Sequence, residues 1–119
     1  MAKNARFVKA EKQLRDYALT FPQATEDFPW GHRAIKVKKR TFVFMAVEHE
    51  SFSLSLKLPS SADAVLMLPF TSPTGYGLGK SGWVTARFTG KDKIPLDWVR
   101  NWIEESYRAV APKKLVDTM

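Results

Sequence analysis

Apolar residues recur along this chain with two different periods, and the change of period marks out the elements. From residue 3 onward, Phe7, Ala10, Leu14, Tyr17, Ala18 and Phe21 fall at three- and four-residue steps, while Lys3, Lys9, Lys12 and Asp16 fall elsewhere. That spacing predicts an amphipathic helix over 3–20, ended by Pro22. Residues 20–31 hold two prolines and a glycine and read as a connection with a short extended piece. Period two follows. Residues 33–38 set Ile35 and Val37 against Lys36 and Lys38. Residues 41–48 are apolar on both faces, Phe42, Phe44 and Ala46 against Val43, Met45 and Val47, as suits a central strand. Residues 51–57 alternate Phe52, Leu54 and Leu56 with Ser51, Ser53, Ser55 and Lys57. The joins Lys38-Lys39-Arg40 and Glu48-His49-Glu50 are too short for a parallel crossover, so they imply antiparallel hairpins.

A short helix is expected over 60–68, with Ser60 and Asp63 as its capping pair and Pro69 as its stop. Residues 69–82 are rich in Pro and Gly and read as a loop. Residues 83–88 form another strand. A second long helix spans 95–111, with Val99, Trp102, Ile103, Ser106, Tyr107 and Val110 inward, Asp97 near its start and Pro112 at its end. Trp98, four residues before Trp102, reads as core or rim; Ser106 and Tyr107 read as packing residues. The fold class is therefore α+β: a two-layer α/β sandwich, its antiparallel sheet carrying the N- and C-terminal helices on one face. With Ile35, Val37, Phe52, Leu54, Leu56, Val84, Ala86 and Phe88 under the helices, the open face presents Lys36, Lys38, Ser53, Ser55, Lys57, Trp83, Thr85 and Arg87. Trp83 is expected to cover Val43 or Met45. This face reads either as an ordinary solvated sheet surface or as a cationic platform with one stacking ring.

Charge sharpens the picture. The 119 residues, read as one domain over 1–119, carry 19 Lys+Arg against 12 Asp+Glu, a net +7. Residues 31–93 hold ten basic and four acidic groups, so most of the excess sits in the strands and their joins. Such a segment attracts polyanions. There is no cysteine, which excludes disulfides, zinc ribbons and thiol nucleophiles. No apolar run approaches the ~20 residues of a membrane helix, and a cytoplasmic protein without membrane contact is expected.

Motifs for chemistry fail on context. Gly77-Leu78-Gly79-Lys80-Ser81-Gly82 has the letters of a dinucleotide fingerprint, but a strand follows where a helix is required. As a Walker A loop it has Thr74 where the first glycine belongs. It remains a turn feeding the Trp83 strand or, less simply, a phosphate-contacting loop of backbone amides plus Lys80. His32 and His49 have no partner at metal-ligand spacing, and no serine sits in a nucleophile elbow. No metal, cofactor or catalytic constellation is expected.

The order of short motifs resembles the MmcQ/YjbR family. The carrying residues are Phe21-Pro22, Trp30-Gly31, Ile35-Lys36-Val37, Leu56-Lys57-Leu58-Pro59, Gly79-Lys80-Ser81-Gly82-Trp83-Val84, Glu105-Ser106-Tyr107 and Lys113-Lys114-Leu115. The resemblance spans about residues 7–115. It implies a frataxin-like (CyaY-like) two-layer fold and a double-wing mode of DNA binding, with the wing tips at Lys38, Lys39 and Arg40 and near Lys80. Frataxin's iron role does not follow, because the first helix here is basic rather than acidic.

The leading expectation is a non-enzymatic DNA-binding protein that contacts double-stranded DNA with weak sequence preference. Its candidate residues are Lys36, Lys38, Lys39, Arg40, Lys57, Lys80, Trp83 and Arg87. Two rivals stay open. One is a small anionic ligand module around Tyr76, Lys80 and Trp83. The other is a homodimeric interaction or regulatory protein, with Trp83, Val43 and Met45 as the apolar centre of the open face.

Overall fold

The computed structural model describes residues 3–28, 32–75 and 77–119. Trp30 and Gly31 of the resemblance and Tyr76 of the small-anion reading lie outside the described residues. The first helix, α1, spans Ala5–Ala18 and buries Phe7, Ala10, Leu14 and Ala18, the predicted stripe. Its N-cap is Asn4, whose side-chain oxygen accepts from the Arg6 and Phe7 amides at 2.9 and 3.4 Å. The Asn4 amide donates to Glu50 at 3.0 Å, which ties the helix start to a strand turn.

Six strands follow in chain order: β1 (Ala24–Asp27), β2 (Arg33–Val37), β3 (Arg40–Glu48), β4 (Ser51–Lys57), β5 (Thr71–Pro73) and β6 (Trp83–Thr89). They make one antiparallel sheet in the order β1-β2-β3-β4-β6-β5. The four predicted strands are present. β1 is the short extended piece expected within 20–31, whereas β5 corrects the sequence reading, which took 69–82 for loop. Edge strands pair on one side only, so they need little apolar alternation. β1 reads Ala-Thr-Glu-Asp and β5 contains a proline that an edge tolerates, so neither carries a period-two signal.

The longer helices cover one face. α3 (Leu96–Val110) buries Val99, Trp102, Ile103, Ser106 and Tyr107, again the predicted set, with Val110 at its margin. Trp98 is 52% exposed and sits at the rim. A one-turn helix, α4 (Lys113–Val116), follows Pro112. Phe21 stacks on Tyr107 at 4.8 Å, and the Phe42 ring meets Tyr107 edge-on at 5.2 Å.

Phe42 reaches that cluster because β3 bulges. Ile35 lies opposite Val43, but Lys36 lies opposite Thr41, which leaves Phe42 as the extra residue. Phe42 and Val43 are consequently both buried on the helix side. The expectation that Phe42 shares a face with Phe44 and Ala46 is thereby corrected.

Three consecutive residues of α3 fasten the layers. The Ser106 hydroxyl donates to the Phe42 carbonyl and accepts from the Lys57 amide at 2.9 Å, filling the gap where β3 and β4 part beyond the Val43–Leu56 pair. The Tyr107 hydroxyl donates to the Pro22 carbonyl at 2.8 Å. Glu105 accepts from the amides of Ser60 and Ser61, at 3.0 and 3.1 Å, and from the Ser61 hydroxyl. The short helix α2 (Ala62–Val65) is thus held at its start by a carboxylate from another helix, and Ser61, its N-cap, makes no side-chain cap bond. The expected Ser60–Asp63 capping pair is not used: the N-cap falls one residue later, on Ser61, and the Ser60 and Ser61 amides are taken by Glu105.

A second fastening joins α1 to the β1–β2 edge. Arg33 donates to Glu11 at 2.9 Å and to Glu26 at 2.6 Å, and Arg15 donates to Glu26 at 3.0 Å. Burial works against the Arg33 charge, but the hydrogen bonds it donates to Glu11 and Glu26 outweigh this and raise its pKa.

Candidate nucleic-acid interface

The hairpin between β2 and β3 has two turn residues. Val37 pairs with Arg40, and Lys38 and Lys39 sit between them at φ +49° and +68°. A two-residue hairpin matches the strand twist when both central residues are left-handed, which is why Asn-Gly is the favoured pair. Here two lysines adopt that conformation, at a cost of about 1–2 kcal/mol each. Both side chains are exposed, as is Arg40.

Register fixes the open face. Phe44 lies opposite Ser55, which lies opposite Thr85; Ala46, Ser53 and Arg87 form the next row, and Lys57 faces Trp83. The hydroxyls of Ser55 and Thr85 are 2.8 Å apart, and those of Thr85 and Thr74 are 2.9 Å apart, so this centre is polar but self-satisfied. The Trp83 ring packs on Phe44 at 5.8 Å with the planes tilted by 46°. This corrects the expectation that Trp83 covers Val43 or Met45. Those two side chains lie under the helices, which also removes the proposed Trp83–Val43–Met45 dimer centre.

Beyond the Phe44–Trp83 pair the sheet ends in a concavity of about 340 Å³. Arg40, Thr41 and Lys57 line it with the two aromatic rings, Leu78, Ala109 and Val110. No carboxylate is among the lining residues. A second hollow of about 300 Å³ lies on the other side of Phe44, over Ala46, Ser53 and Ser55 beside His32.

The eight candidates separate on this frame. Arg40, Lys57 and Trp83 meet at the concavity, and the Lys38-Lys39 turn is contiguous with Arg40. Lys80 is exposed on a single 3-10 turn, Leu78–Ser81, whose Leu78 reaches the same concavity. The structure therefore brings the glycine loop to the same end of the sheet. Lys36 is neutralised: Asp27 lies 3.3 Å away. The Asp27 carboxyl is held below its ordinary pKa, first by the Phe28 amide and then by Lys36. Arg87 is on the open face but two rows from Trp83, beside Phe70, Asp92 and Lys93. Among the described residues Lys38, Lys39, Arg40, Lys57, Lys80 and Arg87 make no ion pair.

The glycine loop is not an amide cradle for phosphate. The Gly79, Lys80 and Gly82 amides donate to the carbonyls of Thr74, Gly77 and Gly79. Among the described residues of this loop the Lys80 ammonium is the cationic group left for an anion. Sequence reasoning missed Thr41, Phe44 and Leu78. The two-sided apolar pattern of 41–48 pointed to Phe44, but the bulge decides which residues of β3 share its face. Among the described residues no three His, Asp or Glu side chains cluster closely enough to hold a metal, and no helix is long and apolar enough to cross a membrane.

The model of the YjbR family matches residues 19–109, from the end of α1 through almost all of α3. The chain belongs to the YjbR family. Two solved structures are similar to it. A Deinococcus radiodurans protein with a DUF419 domain is 24% identical at a TM-score of 0.66, over 83% of this chain and 76% of that one. A Pseudomonas syringae protein is 17% identical at a TM-score of 0.61, over 83% of this chain and 97% of that one. At these identities the shared property is the fold. No functionally curated protein matches the chain.

Proposed function

We propose that this protein binds nucleic acid, double-stranded DNA in particular, as a non-enzymatic domain that grips the phosphate backbone at one end of its sheet. The observation that carries this reading is the exposed Lys38-Lys39 turn beside Arg40, with none of the three cations ion-paired. Several cations elsewhere are tied up by the fold. Arg15 and Arg33 are locked to Glu11 and Glu26, Lys12 to Asp16, and Arg6 donates to the Gly90 and Asp92 carbonyls. A strained turn kept cationic is where phosphate contacts are expected. Lys57 and Lys80 extend the charge along the same end. Hydroxyls and one ring pair do not make a base-edge code, so sequence preference is weak.

The test is a salt titration of duplex affinity. With four or five phosphates neutralised, log K falls with log salt at a slope of about −4. The triple substitution Lys38→Ala/Lys39→Ala/Arg40→Ala flattens the slope by about two to three. Removing Lys3, Lys9 and Lys12, the same formal charge from α1 and the residues just before it, changes it by less than about one. Equal losses from the two triples, or no duplex binding at low salt, overturn the proposal.

A further inference from the structure

The concavity beside the turn has a composition that backbone binding alone does not require. Phosphate contacts need cations; they do not need an aromatic floor. Here Arg40 and Lys57 line the same concavity as the Phe44–Trp83 ring pair, together with the apolar Leu78 and Val110. Its volume of about 340 Å³ lies at the small end of ligand sites, which run about 300–1,000 Å³. In duplex DNA the base faces are stacked on one another, and only their edges reach the grooves. A ring that lines a concavity cannot meet those faces; a base already out of the stack can.

We infer that this concavity takes a single unstacked nucleotide, its base against Trp83 and its phosphate at Arg40 and Lys57. The inference rests on the nucleic-acid reading above and specifies a second kind of contact within it. Thr41 adds a hydroxyl to the lining, and the Lys57 amide is fixed by Ser106, which sets the strand end that carries the ammonium. The nucleotide has two sources: a free mononucleotide, or an unpaired residue at the end of a strand.

The experiment uses the full chain with three probes: a blunt duplex, the same duplex with a short single-stranded thymidine tail, and free thymidine monophosphate. Wild-type protein binds the tailed duplex about tenfold more tightly than the blunt one, the effect of one stacked base. Trp83→Leu abolishes that difference, so that tailed and blunt duplex bind alike, while the salt slope set by the phosphate contacts is retained. Lys57→Ala, which leaves the ring pair in place, also reduces the tail increment, and it serves if Trp83→Leu proves unfolded by circular dichroism. Lys38→Ala/Lys39→Ala weakens both duplexes alike. Free monophosphate that binds wild type but not Trp83→Leu, with no tail effect, assigns the site to free nucleotide. That outcome holds even if the blunt duplex is not bound at all, in which case only the duplex reading fails. Equal binding of tailed and blunt duplex with no uptake of the monophosphate overturns the inference and leaves the duplex reading standing. So does a tail increment that survives both Trp83→Leu and Lys57→Ala.

Discussion

Ser106→Ala isolates one hydroxyl whose work is visible in the structure. The oxygen donates to the Phe42 carbonyl and accepts from the Lys57 amide, and the side chain is fully buried. Without it, a backbone donor and a backbone acceptor lose their partner at the place where the β3 bulge has parted the two strands. Each unsatisfied buried group costs about 1–3 kcal/mol, and partial closure of the gap returns some of this. Alanine is the better helix former by up to about 0.5 kcal/mol, which offsets a little more. The net expectation is a loss of about 2–3 kcal/mol, a large share of the roughly 5–15 kcal/mol that holds such a domain folded. At about 4 °C per kcal/mol for a domain of this size, Tm falls by about 8–12 °C. The assay is urea and thermal unfolding by circular dichroism, with Ser61→Ala as comparison. Ser61 bonds Glu105 at a partly open site, where Glu105 keeps two amide donors, so that loss stays below about 1 kcal/mol. A Ser106→Ala midpoint within about 0.5 kcal/mol of wild type at unchanged m refutes the reasoning.

Three further expectations follow from the same structure. Lys38→Asn/Lys39→Gly gives the left-handed turn residues suited to it and raises stability by about 1–2 kcal/mol, while duplex affinity falls and the salt slope flattens by about two; an unchanged or lower urea midpoint contradicts the strain argument. Burial raises the Tyr107 pKa, so the folded chain keeps this proton where the unfolded chain loses it. Its contribution is fully present below about pH 10 and is lost as pH rises through the folded pKa. Tyr107→Phe therefore costs about 1 kcal/mol at neutral pH through the lost bond to Pro22 and makes the alkaline decline shallower, while Tyr17, whose pKa burial also raises, still contributes; alkaline unfolding curves of equal steepness refute this. Arg33→Lys replaces a guanidinium fork that reaches both Glu11 and Glu26 with one ammonium and costs about 1–2 kcal/mol in chemical denaturation; a cost no larger than that of the exposed Lys9→Ala sinks the clamp argument.

Much of the architecture was legible before any coordinates. Phe7, Ala10, Leu14 and Ala18 at helical spacing, and Phe52, Leu54 and Leu56 at strand spacing, specify which side of each element is dry, because burial is the largest driving term and periodicity records it directly. The same alternation placed Lys57, Trp83 and Arg87 on the open face, as register confirms. The sequence also named Lys38, Lys39 and Arg40 as a turn. It could not show that the turn is left-handed, since lysine is not a residue from which such backbone is inferred. Nor could it distinguish a cation held by the fold from one left unpaired: Lys36 and Lys57 look alike on alternating strands, and only the pairing of β1 with β2 sets Asp27 beside the first. The β3 bulge was hidden because Phe42 and Val43 are both apolar, so either face fits the pattern. The β3–β4 register sets Phe44 rather than Val43 on the open face beside Trp83, and the gap the bulge leaves is closed by Ser106 from sixty-four residues away. One-dimensional periodicity reports burial; which buried or charged groups meet is fixed by strand register and by helix docking across the sheet.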